Sequence, residues 1–203
     1  MKPQEVSVKD IAVYFGALYI FYQFFMWVPS TWIEIITAQQ SSGALNALGF
    51  TSEYGLQNGY VWMTLTGGAR PVLVYIIREC TAFHVWGIIL GLVVPLRYGD
   101  LTRKFKAVLF GGSFIFLMNI TRIMLTVYLT GYNVPPFSWF FTNPTVETYH
   151  YPVSFAYGVV GIAVVIWLIN EYILPELGDF LVILPDAVLY HVKKIIKKGL
   201  VIG

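Results

Sequence analysis

The chain has 203 residues, of which 57% are hydrophobic, 17% aromatic and only 12% charged, with a net charge of +2 and a mean hydropathy of +0.68. A soluble domain carries about a quarter charged residues, so half that share, set among long uncharged runs, reads as an integral membrane protein. The small net charge argues against nucleic acid as a partner, and a single cysteine excludes an internal disulfide.

Residues 1–10 are polar and mixed in charge. The apolar run that follows ends in Trp27-Val28-Pro29 without a small-residue cleavage site, which predicts a signal anchor. Residues 11–28, 82–96, 105–129 and 153–170 reach or approach the ~20 residues needed to cross a hydrocarbon core. These runs predict an α-helical polytopic membrane protein with about four transmembrane helices. The long segment over 29–81 carries structure of its own. Trp32, Ile35, Ile36, Leu45 and Leu48 give a helical pattern over 31–49, with Gly49 as its C-cap. Two β-rich runs, 60–66 and 72–77, flank Gly67 and Gly68 and predict a β-hairpin leading into Cys80. The segment over 131–152 is rich in proline and aromatics, which suits a collar at headgroup level. From Asp186 onward, Val188, Leu189, Val192, Ile195 and Ile196 recur opposite Lys193, Lys194, Lys197 and Lys198. That pattern is a basic amphipathic helix for an anionic inner surface. The chain thus divides into a membrane domain over 1–175 and a cytoplasmic tail over 176–203.

Basic residues set the orientation. Lys2 and Lys9 precede the first span, while Arg97, Arg103, Lys104 and Lys106 surround the loop between the second and third. With the four tail lysines, ten of the 13 basic residues fall on one side. The positive-inside rule makes that side cytoplasmic, with both termini inside.

Three reactive groups then share one depth. Arg122 follows Lys106 by about 24 Å of helix, in the outer third of a core about 30 Å thick. Cys80 lies just outside the second span and His150 just outside the fourth. A thiol, a guanidinium and an imidazole are the parts needed to cleave an amide. Each also has a plainer reading. Cys80 fits as a small inert hydrophobe, and His150 as a solvated loop residue. Arg122 fits least easily, because a charge at a span's centre costs ~2.5–3.5 kcal/mol. Asn119 lies one turn before it on the same face. His84, one turn after Cys80, competes with His150, and Glu79 and Arg78 flank the thiol with opposite charges.

Glu79-Cys80-Thr81 opening a span that ends in Pro95, then Asn119-x-x-Arg122-Ile123, then His150 before the last span, together resemble the exosortase/archaeosortase family over residues 30–170. The resemblance implies a cell-membrane cysteine protease or transpeptidase with its active site near the external face. It would cleave the C-terminal tripartite sorting signal of exported proteins through a thioester. Archaeal members couple cleavage to a lipid anchor, which makes membrane lipid an acceptor. Cys80 takes the nucleophile's position, and Arg122 and His150 those of its partners. Asn119, Glu79 and His84 are supporting residues; His84 has no counterpart in the family pattern. No metal or cofactor is implied. Members often carry glycine two residues after the cysteine, where this chain has Ala82, and the chain is short for the family. Two other classes stay open: a small transporter using Arg122 as an anion site, and a non-catalytic membrane assembly subunit.

Overall fold

Two apolar runs form single helices long and apolar enough to cross a membrane, α4 (Leu101–Tyr132) and α6 (Val146–Tyr172), in the computed structural model, which describes residues 5–141 and 144–199. α1 (Val8–Trp27) and α2 (Thr31–Ala47) meet that standard only as a bent pair, since Tyr14, Tyr19, Tyr22 and Gln23 dilute the apolar content of α1. Among the described residues, length and composition thus support two or three crossings, where the sequence led us to expect four. The difference lies in residues 82–96. There α3 (Phe83–Val93) has 11 residues, about 16 Å at the helical rise. Arg78–Thr81 winds instead as a 3-10 turn, and Ala82 leaves the right-handed region at φ 54°. Pro95 disfavours helix at the other end.

The chain folds as two units, each assembled from separated segments: 1–27, 85–112 and 165–203 in one, 28–84 and 113–164 in the other. The tail from residue 176 belongs to the first. There α7 (Glu176–Gly199) buries Leu177, Phe180, Leu184 and Ala187, and the Phe180 ring centroid is 4.7 Å from that of Tyr14. Glycine lets backbones approach: a Cβ on Gly87 would meet the Phe21 carbonyl oxygen at 2.7 Å, and one on Gly91 the Leu18 Cα at 2.5 Å. The outer part of α7 leaves Val192, Ile195 and Ile196 exposed, as an amphipathic surface helix should.

In the second unit α2 packs on an antiparallel sheet of order β1-β2-β3, formed by Thr51–Gln57, Tyr60–Thr66 and Val72–Ile76. The expected helix and hairpin are both present, but β1 corrects the hairpin to three strands. Its polar sequence, broken by Gly55, hides the period-two pattern, although Asn58-Gly59 marks the turn, both residues having positive φ. β2 alternates strictly, burying Val61, Met63 and Leu65. These pack with Val72 and Ile76 of β3, Ala38 and Leu45 of α2, and Ile123 and Val127 of α4.

α5 (Phe137–Phe140) exposes Trp139 and Phe140. Lys2, residues 142–143 and residues 200–203 lie outside the described residues, as do the side chains of Phe137, Lys197 and Lys198.

Candidate active site

Cys80 is the third residue of the 3-10 turn, and its N–H donates to the Ile77 carbonyl at 2.8 Å. Because Ala82 turns left-handed, the helix stops and the carbonyl of Cys80 needs a donor from elsewhere. α4 supplies two: Asn119 Nδ2 donates to it at 2.7 Å and Arg122 NH2 at 3.3 Å. Residues three apart share a helix face, so the Asn-x-x-Arg spacing acts here as a cap on the turn that carries the thiol. Asn119 is buried. Thr81 links the turn to α3, donating from Oγ1 to the Arg78 carbonyl and accepting from the Phe83 N–H.

Arg78 does not attend the thiol. Its guanidinium donates to Ser30 Oγ and to the Val28 carbonyl, each at 3.0 Å, which anchors the turn to the start of α2. Glu79 is exposed.

His150 corrects a boundary. α6 begins at Val146, so His150 lies within the helix and not just before it. Thr145 N–H donates to Thr148 Oγ1 at 3.1 Å, the returning arm of a capping box. Pro152 sits inside the helix, and its ring is why the sequence suggests a later start.

Ser154, one turn beyond His150, connects the basic groups. Its Oγ accepts from Arg122 NH1 at 3.1 Å and lies 3.4 Å from both ring nitrogens of His150. Arginine can only donate, so the single hydroxyl proton of Ser154 remains available to a neutral imidazole. An imidazolium would instead donate to the hydroxyl oxygen.

Cys80, Arg122 and His150 line one cavity of about 70 Å³, closed on another side by Val74, Tyr75 and Ile76 of β3. Arg122 Nε is buried and has no hydrogen-bond partner among the described residues. Such a donor costs about 1–3 kcal/mol while unsatisfied, so the cavity is bordered by a residue whose Nε–H is free to bond. Of the residues singled out from sequence, Cys80, Arg122 and His150 meet at the cavity, and Asn119 reaches it through the Cys80 carbonyl. Glu79 and His84 do not line it. Ser154 carries no charge and belongs to no motif; only its spacing of four from His150 could have marked it. No cluster of three His, Cys, Asp or Glu suited to a metal occurs among the described residues.

Comparison of the chain with protein-family models, curated proteins and solved structures finds no match in any of the three.

Proposed function

We propose that this chain is a membrane-embedded cysteine protease or transpeptidase that cleaves a C-terminal sorting signal of exported proteins, in the manner of the exosortase/archaeosortase family it resembles. The observation that carries the reading is that Cys80, Arg122 and His150, from elements far apart in sequence, line one cavity. His150 takes the proton from Cys80 Sγ, and the thiolate attacks the scissile carbonyl carbon. The C–N bond breaks as His150 returns the proton to the leaving amine, and a thioester remains on Cys80. Water or an amine, such as a lipid headgroup, then resolves it. NH1 and NH2 of Arg122 hold Ser154 and the Cys80 carbonyl, and Nε, which has no partner among the described residues, is the donor offered to the oxyanion. Ser154 changes from donor to acceptor as His150 gains its proton. Ala82 departs from the family's glycine at a residue whose φ of 54° glycine adopts freely. The departure therefore adds strain without asking for a different backbone.

In this reading both termini and the basic tail are cytoplasmic, and residues 29–81 and 131–152 face outward. The second crossing falls over residues 82–96, where α3 is the helical part. A Phe140→Cys variant in a Cys80→Ser background tests the orientation. Labelling by an impermeant maleimide only from outside is expected, and labelling only from inside would overturn it.

Mass spectrometry of candidate exported proteins, in cells with and without this chain, tests the activity. A new C-terminus just before an apolar tail is expected only when the chain is present. Identical C-termini in both would leave the transporter or assembly reading in its place.

A further inference from the structure

The two edges of the sheet are treated differently. Unpaired strand edges invite pairing with other chains, and proteins usually guard them with charges, proline or a covering side chain. β1 is guarded. The Asn46 side-chain amide donates to the Ser52 carbonyl at 2.9 Å and accepts from the Ser52 N–H at 2.8 Å, taking the place of a neighbouring strand. Glu53 adds a charge beside it. β3 has neither device. Val72-Leu-Val-Tyr-Ile76 is uncharged and contains no proline. It pairs with β2 on one side, and among the described residues no other backbone partner meets it.

That open edge adjoins the thiol. Val74, Tyr75 and Ile76 line the same cavity as Cys80, and only three residues separate Ile76 from it. Leu73 and Tyr75 hold their side chains outward and exposed, while Val72 and Ile76 face the core. An extended chain laid along β3 would bond main chain to main chain and run towards the nucleophile.

We propose that the edge of β3 is the docking strand for the substrate: an extended, uncharged peptide segment adds to the sheet as a fourth strand and presents its scissile amide to Cys80. This rests on the cysteine-peptidase reading above. Main-chain bonding is indifferent to side chains, so β3 sets conformation and direction, and selectivity comes from residues near the cavity.

The test uses acetyl-Ala-Ala-Val-Ala chloromethyl ketone, which alkylates a thiolate by forming an S–C bond and releasing chloride. Four further reagents each carry one N-methyl group on a different amide, and iodoacetamide reports the thiol's own availability. A paired strand offers alternate residues to its neighbour. N-methylation should therefore slow Cys80 alkylation by about tenfold at alternate amides and leave the amides between them unaffected. Uniform rates, or slowing without alternation, would overturn the proposal. So would oxidative dimerisation of a Tyr75→Cys, Cys80→Ser protein, which would give the edge to a second copy. The alternation requires no turnover. If it appears while Cys80→Ala protein still processes its substrate normally, docking stands and the thiol chemistry falls.

Discussion

Two sites, one in each unit, handle the backbone by opposite means. In the unit of residues 1–27, 85–112 and 165–203, closeness comes from missing side chains: Gly87 and Gly91 leave no room for a Cβ against Phe21 and Leu18. In the unit of residues 28–84 and 113–164, side chains reach across to broken backbone: Asn119 and Arg122 hold the Cys80 carbonyl, and Arg78 holds that of Val28. Regular helices satisfy their own backbone groups and need only small residues to meet. Where the helix stops at Ala82, polar groups must be imported, and once imported they are at hand for chemistry.

The largest expected effects fall on the basic groups that line the cavity with Cys80. His150→Ala should cost ~10²–10⁴ in cleavage rate, and Arg122→Lys ~10²–10³, since an ammonium lacks the planar fork that reaches Ser154 and the Cys80 carbonyl together. His84→Ala should change little. Rates at matched membrane abundance decide among them, and a dead His84→Ala with an active His150→Ala would move the imidazole's role to His84.

Next in size is the glycine contact. Gly91→Val should lower stability by about 1–3 kcal/mol through overpacking, read as a lower unfolding midpoint in detergent. An unchanged midpoint would mean the approach to Leu18 is slack. Asn119→Ala leaves the Cys80 carbonyl to Arg122 alone, for a loss of about 1–3 kcal/mol. Its cleavage rate should fall as well, because the turn carrying the thiol loosens. Stability loss at an unchanged rate would make Asn119 purely structural. The smallest effect is a gain: Ala82→Gly should stabilise by about 1 kcal/mol, the cost of a left-handed alanine. A lower midpoint would contradict the strain assigned to that residue.

What the sequence made legible follows from period and charge. β2 alternates cleanly and Gly67 ends it, so the hairpin was readable, whereas β1 is mostly polar and joins the sheet through tertiary contacts. Counting helical rise from Lys106 gave Arg122 the same depth as Cys80, and the structure brings both to one cavity with His150. The length of α3 was not readable, because nothing in Arg-Glu-Cys-Thr announces a 3-10 turn. Nor was the cap on the Cys80 carbonyl, which exists only because that turn ends where α4 passes. Ser154 stayed hidden because a serine gains its role only between an arginine and a histidine that folding brings together.

The central claim is that Cys80, in the cavity it shares with Arg122 and His150, is the nucleophile. Intact-mass analysis of the protein mixed with its substrate, alongside cleavage by Cys80→Ala protein at equal membrane abundance, tests it most directly. The account predicts a hydroxylamine-labile acyl adduct on Cys80 and no cleavage by the alanine variant. Normal cleavage by Cys80→Ala protein would contradict it.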